Sequence, residues 1–189
     1  MQPHNLLKLL CSGTVIPAAR NIDDFKYALE HTTAPSVILL FGDIVILPEL
    51  LTMAQKFKRR LFVHLDLLGG IGKDEAGIRF LARIGVTGLI TTKAYLCKTA
   101  REEGMIAIQR LFLMDSEALR TGIHLACKYK PDVVEVLPAA VPASAIKQLK
   151  EGTGLPILAG GLVHTREDVD NAIKNGICAI SASQTDLWQ

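Results

Sequence analysis

Aromatic residues are scarce in this chain of 189 residues, with Phe, Tyr and Trp together making up 5%. A core built from it must be aliphatic, as in parallel sheets whose strands are buried on both faces. Paired cysteines are also lacking. Cys11, Cys97, Cys127 and Cys178 are scattered without CxxC spacing. That pattern argues against a zinc site and a disulfide framework, and a reducing cytoplasm is the setting expected. Charge of one sign is not in excess. The formal net charge is +2, too mild to announce nucleic-acid binding and no bar to it. The longest apolar run, Val37 to Phe41, is strand-sized and far short of the ~20 residues that span a bilayer. No membrane partner is expected. The N-terminal stretch, which carries His4 in an exposed-looking lead, has no basic region followed by a long apolar one, so it does not read as a secretory signal.

What is present is a rhythm. Short apolar runs alternate with amphipathic segments along the chain, the signature of βαβ units and a parallel sheet. Strands are expected at Val15–Ala19, Ser36–Phe41, Leu61–Asp66, Gly88–Thr92, Met105–Gln109, Val133–Leu137, Pro156–Ala159 and Ile177–Ser181. Asn21 is placed to cap a helix reaching His31, with Asp23 and Asp24 in its first turn to complement the dipole. Further helices are expected through Lys58, from Asp74 to Arg83, to Glu103, and from a cap at Asp115 to Tyr129. Pro142 opens a short one as a favoured first-turn residue, and Thr165 with Asp168 forms a capping box. Eight strands fit a single small α/β domain over residues 1–189, a (β/α)8 TIM barrel, with an open doubly wound sheet as the alternative. The fold typically takes ~250 residues, so the loops must be short.

In such barrels ligands bind at the carboxyl ends of the strands, and there the polar residues gather. Arg20 follows the first strand, His64 and Asp66 end the third, Lys93 follows the fourth, and Gln109 with Arg110 ends the fifth. Glu135 interrupts an otherwise apolar sixth strand. A buried carboxylate needs a partner, either a structural cation such as Arg20, Lys93 or Arg110, or a ligand hydroxyl. His64 and Asp66 could be an acid/base pair, but two candidate ligands do not make a metal site. Asp66 could equally cap its loop. Gly160 and Gly161 after the seventh strand, with Ser181 and Ser183 at the eighth, match the phosphate site that barrels build from their last two loops. Glycines there let a ligand oxygen approach backbone N–H groups; a tight turn is the alternative, and the location after the seventh strand favours phosphate. The runs Lys56–Arg60 and Lys128–Lys130 read as solvated helix ends; an aromatic among cations also suits RNA.

The chain resembles the glycerol-3-phosphate-responsive antiterminators, regulatory proteins of bacterial glycerol-uptake operons. The resemblance runs through Ile16–Asn21, Val63–Leu67, Gly70–Ile71, Ile108–Ser116, Pro131–Pro138 and Leu158–Gly161, and ends with Ser183 and Leu187–Trp188. The family often has Thr-Arg where this chain has Thr92-Lys93, and glycine where it has Ala139; lysine gives up the bidentate geometry of arginine. The resemblance implies a barrel that senses sn-glycerol 3-phosphate and, when loaded, acts on leader mRNA so that transcription passes a terminator. It implies a regulator rather than an enzyme, with no catalytic residue and no cofactor. Arg20, His64, Asp66, Lys93, Gln109, Arg110, Glu135, Gly160, Gly161, Ser181 and Ser183 are the expected ligand-binding set. The competing reading is an isomerase or lyase on a phosphorylated sugar or triose, with His64, Asp66 or Glu135 as acid or base. A homodimer would extend a mildly basic surface for an RNA hairpin.

Overall fold

The computed structural model describes residues 8–10 and 13–188; His4 and Cys11 lie outside the described residues. Eight parallel strands close into a barrel in sequence order. They are β1 (Val15–Ala19), β2 (Ser36–Leu39), β3 (Arg60–His64), β4 (Gly88–Thr91), β5 (Ile106–Phe112), β6 (Val133–Leu137), β7 (Ile157–Gly160) and β8 (Ala179–Ala182). Between them run α1 (Ile22–His31), α2 (Leu47–Lys56), α3 (Glu75–Ile84), α4 (Tyr95–Glu102), α5 (Ser116–Tyr129), α6 (Ala143–Thr153) and α7 (Arg166–Lys174). A 3-10 turn at Thr185–Leu187 follows β8. Closure is what an all-parallel sheet with eight short strands achieves, because it leaves no strand edge unpaired. The fold expected from the alternation is therefore the fold observed, and the open sheet is excluded. No helix among the described residues is long and apolar enough to cross a membrane.

The helix starts follow local chemistry. Asn21, Asp74 and Asp115 each accept a backbone N–H of the first turn, and Thr165 with Asp168 forms the reciprocal capping box. Pro142 takes the N-cap position rather than the first turn, and its helix, α6, has 11 residues rather than being short. The helix α2 ends at Lys56, two residues before the expected Lys58, because Lys58 turns left-handed with φ 56°.

Strand ends shift for reasons found in the sheet. The fifth strand continues three residues beyond the expected Gln109, since Arg110 pairs in register with Glu135 and Phe112 with Leu137. The second and third stop short of Phe41 and Asp66, where the chain leaves the ladder for its loops. The eighth begins at Ala179, two residues after Ile177.

Three apolar layers result. Inside the barrel lie Ile16, Ile38, Phe62, Ile90, Ile108 and Leu158. The outer strand faces meet the helices in two further clusters, one around α1 to α4 and one around α5 to α7. Phe62 is the aromatic member of the interior cluster, and it fits because β4 offers Gly88 beside it. A Cβ on Gly88 would lie 2.4 Å from the Phe62 ring and 2.6 Å from the Ile106 carbonyl oxygen. The floor of the barrel is closed by Leu10, whose carbonyl accepts the Ser36 hydroxyl at 2.5 Å. Gly88→Ala should destabilise the protein by about 1–3 kcal/mol through overpacking, read as a lowered urea midpoint. Phe62→Leu added to it should restore part of the loss; no recovery would locate the strain at the Ile106 carbonyl instead.

Candidate functional site

Side-chain alternation along each strand decides which polar groups enter the barrel. On β5, Ile106 and Ile108 belong to the interior while Ala107 packs outward. Arg110 therefore points in and Gln109 out. By the same count Val133 directs Glu135 inward, Phe62 directs His64, Leu158 directs Gly160, and Ala179 directs Ser181. These strands converge on one layer at the carboxyl end.

The centre of that layer is Glu135, which has no solvent exposure. One carboxylate oxygen meets Arg110 Nε at 2.6 Å. The other accepts the Ser181 hydroxyl at 2.5 Å. This arrangement explains Gly160: a Cβ there would lie 2.5 Å from Ser181 Oγ and 3.0 Å from the Ser181 carbonyl oxygen. The glycine makes room for the Ser181–Glu135 bond as well as starting the loop. His64, 4% exposed, stands in the same layer with no hydrogen-bond partner on Nδ1. Burial pushes its pKa down to about 4, Arg110 pushes the same way, and Asp66 and Glu135 oppose them only in part. At neutral pH it is an uncharged imidazole with a free nitrogen.

A second group sits beside this one, over β3 and β4. Asp66 accepts the Thr91 hydroxyl at 2.9 Å on one oxygen, and on the other the Thr92 N–H at 2.7 Å and hydroxyl at 2.9 Å. Burial alone would raise its pKa, but those hydrogen bonds outweigh it and hold the carboxyl below its ordinary value. Lys73 Nζ donates to the Leu65 and Leu68 carbonyls. Burial lowers its pKa; Asp66 opposes that and Lys93 reinforces it. Lys93 Nζ in turn reaches the Lys73 carbonyl at 3.3 Å.

Around the rim lie Arg20, exposed, its backbone N–H bound to Asp24 at 3.1 Å, and Ser183, half-buried just past β8. Gly161 and Leu162 are exposed and left-handed, with φ 73° and 57°. Of the expected set, His64, Arg110, Glu135, Gly160 and Ser181 meet inside the barrel. Asp66 and Lys93 form the adjoining group, and Arg20, Gly161 and Ser183 border the opening. Gln109 is not among them. It faces the helices, fully buried, with neither amide atom hydrogen-bonded. The residue missed from sequence is Lys73, whose role depends on a loop folding back onto β3. Thr91 and Thr92 ended a strand visibly, but nothing in spacing linked them to Asp66.

Among the described residues no cluster of three His, Cys, Asp or Glu side chains is placed to hold a metal ion. A cavity of about 640 Å³ is an open groove between α5 and α6 bordered by Leu119, Ile123 and Val141. None of the buried ionisable groups of the barrel interior lines it.

Residues 15–188 match the family model described as glycerol-3-phosphate responsive antiterminator. The chain belongs to that family. It is 33% identical over 184 residues to the Escherichia coli protein YgcP, covering 97% of this chain and 95% of the relative. The crystal structure of a glycerol uptake operon antiterminator regulatory protein from Listeria monocytogenes superposes with a TM-score of 0.88 at 33% identity, covering 94% of this chain and 95% of that one. A glycerol uptake operon antiterminator-related protein from Thermotoga maritima gives 0.82 at 32% identity, over 93% and 97% of the two chains. A deoxyribose phosphate aldolase from Aeropyrum pernix shares the fold alone, with a TM-score of 0.71 at 13% identity, over 99% of this chain and 90% of that one. The family is a regulatory one, as the sequence resemblance implied.

Two outcomes follow from the buried layer. Because the folded His64 disfavours its proton, the unfolded chain binds more protons below about pH 6.5, and stability falls with pH from there toward pH 4. Between pH 7.5 and 5 the loss from this group should be about 2 kcal/mol, measured by urea denaturation, and His64→Gln should abolish that share. Glu135→Ala should cost about 3–5 kcal/mol by leaving Arg110 unpaired. Replacing both by Glu135→Leu and Arg110→Met should restore most of that stability, and equal losses in the two variants would contradict the pair's structural weight.

Proposed function

We propose that this chain is a glycerol-3-phosphate sensor whose loaded form binds leader mRNA and carries transcription past a terminator. The observation that carries the reading is the layer inside the barrel mouth, in a member of a family named for that response. Arg110 is a fixed cation, His64 offers an unpartnered nitrogen, and two glycine- and serine-bearing loops stand beside them.

In this reading the phosphate lies over Gly160, Gly161, Ser181 and Ser183, with Arg20, Lys93 and Arg110 as its counter-charge. Each glycerol hydroxyl is donor and acceptor at once. His64 Nδ1 and the remaining lone pairs of Asp66 and Glu135 supply acceptors for them. RNA is the second partner, and by linkage the metabolite favours the transcript only through tighter binding to the RNA-competent form. A homodimer and a cytoplasmic setting complete the reading.

One feature favours a second reading. A neutral histidine with a free nitrogen beside a carboxylate is what an isomerase or lyase acting on a triose phosphate would use as a base. Calorimetry with glycerol 3-phosphate, glycerol and inorganic phosphate, followed by NMR for product, separates the two. Saturable, phosphate-dependent binding without turnover is expected, and the ligand should raise affinity for a leader transcript. Turnover of a triose phosphate lost in His64→Gln would favour the enzyme; unchanged transcript affinity at saturating ligand would overturn the sensor.

A further inference from the structure

The end of the barrel opposite the mouth holds a feature that ligand sensing does not use. Where α4 and α5 terminate, a hollow of about 500 Å³ is lined by Lys98, Arg101, Glu102, Lys128, Tyr129 and Lys130. A second hollow of about 440 Å³ shares Arg101 and Lys130 with it and continues past Cys127 to Thr153–Pro156. The two form one groove across the ends of α4, α5 and α6. Four cations face one carboxylate in its first half, and apolar side chains other than the tyrosine are absent from that lining.

The cations divide by how they are held. Arg101 is fixed, donating to the Lys130 carbonyl at 2.7 Å and meeting Asp132 at 3.1 Å. Lys98 pairs loosely with Glu102 at 3.7 Å. Lys128 and Lys130 form no ion pair among the described residues. Lys128 Nζ lies 5.2 Å from the centre of the Tyr129 ring. Lys130 is left-handed, with φ 48°, where the chain turns out of α5. Complementing a helix dipole accounts for a cation in a last turn. It accounts neither for an aromatic ring among them nor for a groove spanning three helix ends. The other cationic run, Lys56–Arg60, is different: Arg59 is turned inward onto the Thr32 carbonyl at 2.5 Å.

We propose that this groove is the RNA-contacting surface, taking a single-stranded segment with its phosphates along Lys98, Lys128 and Lys130 and a base on Tyr129. The proposal rests on the RNA reading given above. Exposed cations and an aromatic face are the two parts from which sequence-tolerant single-strand sites are built. The groove is also tied to the mouth. Asp132, held by Arg101, accepts the Ala107 N–H at 2.9 Å. Ala107 and Arg110 lie on the same strand, β5, roughly 10 Å apart.

The test is binding of the purified full chain to a leader transcript at saturating glycerol 3-phosphate, over a salt series. Tyr129→Ala should weaken binding at least about fivefold. Lys128→Ala with Lys130→Ala should flatten the salt slope by about 0.7 for each phosphate no longer neutralised. Lys56→Ala with Lys58→Ala, on the same end of the barrel, should change neither. Affinity for glycerol 3-phosphate without RNA should be the same in all variants, which confirms that they fold. Wild-type protein that fails to bind the transcript overturns the RNA reading itself. Wild-type binding with unchanged groove variants, or equal losses in the Lys56/Lys58 variant, overturns the groove alone. Competition by poly-glutamate as effective as RNA would reassign the groove to an acidic protein and overturn the proposal.

Discussion

The Glu135 carboxylate sits in the barrel interior, shielded from water, and the surrounding sequence is arranged to meet its demand for donors. An unpaired charge in that position would be prohibitive. Arg110 supplies one donor, which requires β5 to run past Gln109 into register with β6. Ser181 supplies the other, which requires Gly160 on the neighbouring strand to carry no side chain. Without the carboxylate, Arg110 would lose its ion pair and Ser181 its acceptor in this layer. The pair holds Arg110 in one place at the mouth.

Much of this was legible in the sequence. The alternation of apolar runs and caps located all eight strands and the helix starts at Asn21, Asp115 and Thr165, because both signals are local. That Glu135 needs a cation, and that Arg110 was a candidate, also followed from the run it interrupts. What escaped were consequences of closure. Gly160 read as an opening for a ligand oxygen; its approach to Ser181 exists only once β7 and β8 are neighbours. Gln109 read as a strand-end polar group, yet extension of the strand by three residues set its side: in at Arg110 means out at Gln109. Lys73 gave no signal, as its partners are backbone carbonyls of a loop.

The two ends of the barrel differ in what they offer. At the carboxyl end, polar groups are enclosed and largely satisfied by one another, while Val45, Leu67, Tyr95, Phe112, Met114 and Leu162 stand exposed in the loops and element ends around them. At the other end, Lys98, Lys128 and Lys130 stand exposed near helix termini. Enclosed, preorganised groups suit a small molecule of fixed shape; exposed cations suit a polyanion that varies along its length. Strands β5 and β6 connect the two, carrying Arg110 and Glu135 above and the Ala107–Asp132 bond below. On the lower side, Asp132 joins the Ala107 N–H of β5 to Arg101.

The uncharged state of His64 has a bearing on how such a gauge behaves inside a living cell. Its imidazole stays neutral across the range from about pH 5 to 8, and Asp66 stays ionised. A phosphate monoester, by contrast, gives up its second proton near pH 6. In mild acid a phosphate monoester therefore takes up its proton before either of these two side chains of the barrel does.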